Sequence, residues 1–276
     1  MFEIMGNRET PHPLEGIPRR LWRLVSLARH RLLMLDYDGT LAPFCVTRDV
    51  ALPLPRSLNV LKAIAGEPHT AVAIVSGRPV DEMERLLESF PATFIGEHGW
   101  EIRLRDGSVV RHPVSGAQMV MLDQAEQAAR EKGLATRLER KRTGLVVHTR
   151  GMAETAARAL EDEALALWQP VAAGGGVGLE RVDGGVELRL SGRNKGTAVL
   201  SLVSEAPPGT LAVFVGDDVT DEDAFEVVRE WGFGVRVGAD DRPTLATGRL
   251  PDCASVAVFL EEWLRVARSA TSAAAD

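Results

Sequence analysis

Two carboxylates stand two residues apart in the string Leu35-Asp36-Tyr37-Asp38-Gly39-Thr40, directly after the apolar run RLLML. At a strand end both can approach one reacting centre, where one carboxylate attacks phosphorus as a nucleophile and the other carries protons. Gly39 lets the backbone turn tightly and Thr40 offers a hydroxyl. A second group of acids, Asp217, Asp218, Asp221, Glu222 and Asp223, follows the run LAVFVG. Carboxylates gathered this way repel one another unless a cation offsets them, and oxygen ligands suit Mg²⁺. Asp217 is the expected ligand, and the last three acids suit a helix N-terminus. Ser76-Gly77-Arg78 precedes Pro79 and a helical pattern, so its hydroxyl and backbone N–H groups can hold phosphate oxygens. Lys195 can set a positive charge against that phosphate and Asp36. Each group alone also has a plain structural reading: an Asp-Gly turn, an acidic helix start, a helix cap, a solvated lysine.

The elements that must position these residues are short apolar runs alternating with amphipathic stretches. RLLML (31–35), TAVAIV (70–75), TFIG (93–96), LAVFVG (211–216) and FGVRVG (233–238) read as buried strands. Helical faces appear at Leu58, Leu61 and Ile64, at Val80, Met83, Leu86 and Leu87, in DEDAFEVVREW, and at Phe259, Trp263 and Val266. This order predicts an α/β fold, a Rossmann-like parallel sheet with helices on both faces and a ligand site beyond the carboxyl ends of the strands. Asp36, Asp38, Ser76 and Asp217 follow such runs, and Lys195 sits where the chain re-enters the core.

Residues 114–191 break the pattern. A helix over 118–132, alternating runs LATRLER and GLVVHTR, a helix over 153–167, and the runs VGLERV and GVELRL give an αββαββ order. That predicts an inserted α+β cap domain with hinges near Pro113 and Gly192. The expected organisation is an N-terminal extension (1–30), a first core segment (31–113), the cap (114–191), a second core segment (192–268) and a flexible tail (269–276).

The chain has 276 residues, with 39 acids against 32 strong bases and a net charge of −7. This balance argues against nucleic acid and anionic membranes as partners while leaving room for a small anion met by local cations. Cys45 and Cys253 form neither a disulfide framework nor a CxxC pair, so free thiols in a reducing cytoplasm are expected. The first residues hold no apolar secretory core and no apolar run reaches membrane-span length. No GxxxxGK[ST] string exists, which disfavours a P-loop kinase.

Together LDYDGTLAPF, IVSGRP, IGEHGWEIR, GRNKGTAV and VGDDVTDEDAF resemble the trehalose-6-phosphate phosphatase family of the haloacid dehalogenase superfamily, over residues 31–264. The resemblance implies a haloacid dehalogenase core with a type IIB-like cap, Asp36 as nucleophile and Asp38 as general acid/base. It further implies Mg²⁺ held by Asp36, Asp38 (through its carbonyl) and Asp217, with Asp218 and Asp221 adding outer contacts, and phosphate held by Ser76 and Lys195. Gly77 and Arg78 join the substrate-binding set. Sugar-reading cap residues of the family match Glu139, Lys141, His148, Arg150 and Glu187. The chain departs from the family strings at Thr149, where tyrosine is common, and at Leu190, where proline is common. His98 also matches a family string and is expected to be structural.

The leading expectation is Mg²⁺-dependent hydrolysis of trehalose 6-phosphate through an aspartyl-phosphate. A second reading keeps the chemistry with another osmolyte precursor, such as glucosylglycerol phosphate or mannosyl-phosphoglycerate. A remote one is a non-catalytic, receiver-like phosphate-binding regulator.

Overall fold

The computed structural model describes residues 12–45, 50–88, 90–182 and 184–273. The first eleven residues of the expected extension and the last three of the expected tail lie outside them. After α1 (Arg19–Leu27), the first core segment runs β1 (Arg31–Leu35), α2 (Pro55–Ala65), β2 (Thr70–Val75), α3 (Val80–Leu87), β3 (Thr93–Gly96), β4 (Glu101–Arg103) and β5 (Val109–Arg111). A middle segment runs α4 (Gly116–Glu131), β6 (Leu138–Arg140), β7 (Gly144–His148), α5 (Glu154–Ala173), β8 (Val177–Val182) and β9 (Gly185–Leu190). The last part runs α6 (Lys195–Glu205), β10 (Leu211–Gly216), α7 (Glu222–Val228), β11 (Gly232–Val237), β12 (Gly248–Leu250) and α8 (Cys253–Ala273).

The core is one sheet in the order β12-β11-β10-β1-β2-β3-β4-β5, parallel from β12 through β3. The continuous apolar runs have a direct cause. On β1, Leu33 and Leu35 pack toward the side carrying α1, α2, α3 and α8, while Leu32 and Met34 pack toward α6 and α7. A strand covered on both faces needs apolar residues at every position. Three strands escape the sequence reading: β4 and β5, an antiparallel hairpin on the sheet edge, and β12, all only three residues long.

Residues of the middle segment form a second, antiparallel sheet in the order β6-β7-β9-β8. Its alternation sorts the side chains. Leu145, Val147, Val186 and Leu188 bury against α4 and α5 around Trp168, which leaves Val146, His148 and Glu187 for the opposite face. The register sets Glu139 beside Val146, and Val146 beside Glu187.

One expectation needs correction. The region expected to fray from Ser269 continues as α8 to Ala273. The N-terminal extension contains α1, whose Leu21 and Val25 are fully buried and whose Trp22 ring lies 5.1 Å from that of Phe259 on α8. Elsewhere α3 starts at Val80 with Pro79 as its N-cap, and the helix expected through Trp231 ends at Val228.

Candidate active site

The acid pair sits where β1 ends. The Asp36 amide donates to the Val215 carbonyl of β10 at 2.9 Å, so the loop leaves the sheet held on its neighbour. Tyr37 anchors the turn: its carbonyl accepts from the amides of Leu41 (2.9 Å) and Ala42 (3.0 Å), and its buried hydroxyl donates to Ala51 O at 2.6 Å. Gly39 has φ +77°, and a Cβ there would stand 2.1 Å from Asp217 Oδ2. Glycine is required both by the left-handed backbone and by the approach of the second acid group.

Lys195 is the first residue of α6, placed by a reciprocal cap between Asn194 and Thr197. Its buried ammonium lies 2.9 Å from Asp36 Oδ1 and 2.7 Å from Asp221 Oδ1. Thr40 Oγ1 donates to Asp217 Oδ1 at 2.9 Å, and the Asp218 amide donates to Asp221 Oδ2 at 2.8 Å. One cation thus stands among several buried carboxylates. Burial pushes Asp36 up from 3.8 to about 8, with Asp221 and Asp38 adding to the shift and Lys195 opposing it. Burial raises Asp217 and Asp221 as well, Asp36 adding to the first and Asp218 to the second. For Lys195 burial opposes the charge, but Asp221 and Asp36 outweigh it and hold the ammonium above its ordinary value.

Asp36, Asp217 and Asp221 each offer a carboxylate oxygen, all within 4.8 Å of one another. These hard oxygen donors, crowded with excess negative charge, fit Mg²⁺. Asp221 is the member read from sequence as an outer contact. Both its oxygens are already engaged, by Lys195 and the Asp218 amide, so Asp36 and Asp217 are the better-placed donors.

Ser76 follows β2 and is buried, its carbonyl accepting from the His98 amide at 3.0 Å. Its Oγ accepts from the Arg78 amide at 3.3 Å and caps no helix. A Cβ on Gly77 would lie 2.6 Å from His98 Nε2, so glycine admits the imidazole. The Arg78 side chain turns inward to Asp38 and Glu82, which its assignment to substrate from the sequence did not anticipate.

The polar face of the second sheet closes the other side. Lys141 Nζ lies 2.7 Å from Glu187 Oε1, and His98 Nε2 lies 3.2 Å from Glu187 Oε2. Burial opposes charge on Glu187, but Lys141 outweighs it and holds the carboxyl well below the usual range. His148 Nε2 is 2.7 Å from Glu139 Oε2, and the Arg150 guanidinium stands 5.4 Å from the centroid of the Phe44 ring. An open cleft is bordered by Asp36, Asp38, Ser76, Gly77, Arg78 and Lys195 from the core, and by Lys141, His148, Arg150 and Glu187 from the inserted segment. Glu139 is paired with the cleft residue His148 rather than lining the cleft itself, and Asp217 lines the adjoining recess beside Gly39 and Cys253.

Residues 34–252 match the family model described as trehalose-phosphatase. The chain belongs to the trehalose-phosphatase family. It is 34% identical over 246 residues to the bifunctional trehalose-6-phosphate synthase/phosphatase of Thermoproteus tenax, covering 85% of this chain and 32% of that protein. It is 34% identical over 224 residues to a probable trehalose-phosphate phosphatase of Sinorhizobium fredii, covering 79% and 82%. The C-terminal domain of Candida albicans trehalose-6-phosphate phosphatase superposes with a TM-score of 0.77 at 23% identity, covering 90% of this chain and 96% of that one, which shows the shared fold. The chain spans about a third of the length of the Thermoproteus relative and of the Schizosaccharomyces pombe trehalose-phosphatase.

Within this trehalose-phosphatase fold, His98, expected from the sequence to be structural, and Phe44, which the sequence reading did not single out, line the cleft, and Asp221, read as an outer contact, completes the acid cluster. His98 lies in a short 3₁₀ turn with φ +56°, following Glu97 at +46°. Such backbone is costly for residues other than glycine and is commonest at functional sites. Only the family string, and nothing in composition or period, pointed to it.

Proposed function

We propose that this chain hydrolyses trehalose 6-phosphate to trehalose and inorganic phosphate. The observation that carries the reading is the convergence, on one cleft, of the pair formed by Asp36 at the end of β1 and Lys195 at the start of α6 with the Lys141–Glu187–His98 cluster opposite. The first supplies a nucleophile beside a buried cation, and the second supplies directional polar groups for a hydroxyl-rich sugar. A site built on such groups rejects analogues that leave them unpaired.

In the first half-reaction an Asp36 oxygen bonds to phosphorus and the bond from phosphorus to the sugar oxygen breaks. The electron pair stays on the sugar oxygen, which takes a proton from Asp38. In the second, a water oxygen bonds to phosphorus, the bond to Asp36 breaks, and Asp38 takes the water's proton. Lys195, Ser76 Oγ and the amide groups beside it hold the phosphoryl oxygens. Bound by Asp36, the Asp38 carbonyl and Asp217, Mg²⁺ would offset negative charge on the phosphoryl group.

Residues 114–191 act as a cap that moves against the core at hinges near Pro113 and Gly192, shutting bulk water out of the first step. No helix among the described residues is long and apolar enough to cross a membrane, and the reading places the enzyme in the cytoplasm on a small-molecule substrate. No specific observation favours another osmolyte precursor or a regulator. The test is phosphate release with Mg²⁺ from a panel of sugar phosphates. Trehalose 6-phosphate should be hydrolysed far better than glucose 6-phosphate; equal turnover would overturn the substrate, and no turnover of any ester would overturn the activity.

A further inference from the structure

Glu97 belongs to the core yet turns its side chain to the inserted segment. It is buried, and it opens the turn after β3 in left-handed backbone, followed by His98 in the same region (φ +46° and +56°). Two such residues in succession persist only where their surroundings hold them, and the bonds around Glu97 run in two directions. On the phosphate side its amide donates to the Arg78 carbonyl at 2.9 Å, and the His98 amide donates to the Ser76 carbonyl at 3.0 Å. On the sugar side Oε1 accepts from the Arg142 amide at 3.0 Å and Oε2 from Thr143 Oγ1 at 3.2 Å, with Arg142 Nε 3.4 Å from Oε2. Arg142 then donates from Nη1 to His112 O and from Nη2 to Trp100 O, both at 3.1 Å, and Trp100 packs in the apolar cluster of the inserted segment. His112 adjoins the expected hinge at Pro113, so this tie lies close to the axis about which the inserted segment would turn.

The clasped residues are chain neighbours of those that meet in the cleft. His98 follows Glu97, Lys141 precedes Arg142, and both reach Glu187, at 3.2 Å and 2.7 Å. Glu97 itself is not among the residues lining the cleft. We infer that Glu97 is a positioning residue that sets the spacing between the phosphate-holding loop at Ser76 and the sugar-holding pair Lys141 and Glu187, and thereby the leaving group the site accepts. A phosphate held at Ser76 and a hydroxyl held at Lys141 must be spaced as they are in one substrate, and a displacement of about 1 Å costs on the order of 10²-fold. Without the clasp the turn between β6 and β7 keeps its own strand pairing, including the Lys141 amide on Gly144 O at 2.9 Å, but loses its tie to the phosphate loop. Lys141 then no longer stands at a fixed distance from Ser76. Resting on the phosphatase reading above, this assignment names the side chain that joins its two halves.

The test compares trehalose 6-phosphate with p-nitrophenyl phosphate, which carries no sugar, on the full chain supplemented with Mg²⁺. Glu97→Ala should raise KM for trehalose 6-phosphate at least about tenfold, part of what such a displacement costs. Its kcat/KM for p-nitrophenyl phosphate should stay within about threefold of the wild type. Glu97→Gln keeps an oxygen for the Arg142 amide, so it should show the same split with a smaller rise, and it serves as the test if Glu97→Ala does not fold. A double-mutant cycle separates placement from packing: in a Lys141→Ala background either Glu97 variant should raise KM much less than it does alone, because the group it places has gone. Equal losses on both substrates, an unchanged KM for trehalose 6-phosphate, or effects that multiply in full in the double variant would overturn the inference. Failure of the phosphatase reading would look different, since the wild type itself would then show no preference for trehalose 6-phosphate over glucose 6-phosphate, and the inference would fall with it.

Discussion

His98 Nε2 lies 3.2 Å from Glu187 Oε2, joining the turn after β3 to the middle of the inserted sheet. Burial pushes the imidazole below its ordinary value, against the pull of Glu187, so at neutral pH it is a neutral partner, while Lys141 Nζ meets the other Glu187 oxygen at 2.7 Å. Glu187 is held from both sides of the cleft, on the side where the proposed function sets the sugar. Glu187→Gln should therefore raise KM for trehalose 6-phosphate by roughly 10- to 100-fold, the equivalent of about 1.5–3 kcal/mol for a hydrogen bond to a charged group. With p-nitrophenyl phosphate, which has no sugar, kcat/KM should change by less than about threefold, because the group lost touches no part of the phosphoryl transfer. Steady-state kinetics on both substrates decide it, and equal losses would remove Glu187 from sugar recognition.

The acid cluster gives the metal-free protein an unusual pH dependence. From the ordinary carboxylate value of 3.8 up to about 8, the folded chain keeps a proton on Asp36 that the unfolded chain has lost. Stability therefore falls as pH rises through that window, with Asp217 and Asp221 shifted in the same direction. The raised value of Lys195 adds no slope there, since both states hold its proton well above pH 8. In chelator, melting temperature should drop from about pH 5 to about pH 8, and Mg²⁺ at the upper end should restore several degrees. Asp217→Asn should flatten the slope and remove the Mg²⁺ response while keeping an acceptor for Thr40. A melting temperature that rises with pH in chelator would contradict the buried-acid account.

How far the sequence could carry these conclusions follows from which interactions are local. The strands β1, β2, β3, β10 and β11 and the reactive residues at their ends are legible because a strand buried on both faces must be continuously apolar and must then stop. Asp36, Ser76 and Asp217 fall at those stops. The alternation of β7 and β9 likewise sorts His148 and Glu187 from Leu145 and Leu188. What stays hidden depends on distant partners. Arg78 to Asp38, Phe44 to Arg150, and His98 to Glu187 are pairings across 40, 106 and 89 positions, and no period encodes them. The clasp of Glu97, which accepts from the Arg142 amide at 3.0 Å and Thr143 Oγ1 at 3.2 Å, was equally invisible. Strands of three residues, such as β4 and β12, are too short to show alternation at all.

Removal of the nucleophile separates chemistry from architecture. Asp36→Asn keeps the size of the side chain and a carbonyl oxygen for Lys195, so it should fold and, in chelator at about pH 8, melt no lower than the wild type, one costly buried charge having gone. Turnover of every phosphate ester should fall by about 10⁴-fold or more, as when a nucleophile is removed from other hydrolases. Intact mass after acid quenching should detect no phosphorylated protein. A phosphoryl group still found on this variant would move the nucleophile elsewhere.

The last expectation concerns α1, which precedes the residues matched by the family model yet packs as core. Leu21 and Val25 are fully buried in the same cluster as Phe259 and Trp263 of α8, and Trp22 meets the Phe259 ring. The Arg31 guanidinium ties the end of this helix to β1 by donating to Val25 O at 2.7 Å. α1 thus covers apolar surface that α8 would otherwise turn to water, far from the strand ends that carry the acids. Leu21→Ala leaves a cavity in that contact and should cost about 2–5 kcal/mol of stability. Its kcat at low temperature should stay near the wild-type value, since none of the described residues lining the cleft lies on α1. Denaturant unfolding gives the first quantity and initial rates the second. Deletion of residues 1–28 extends the argument, because it exposes the Phe259 and Trp263 side of α8 and should lower the melting temperature further and promote aggregation. A truncated chain that melts with the full-length protein would show α1 to be dispensable packing, and the fold would then begin at β1.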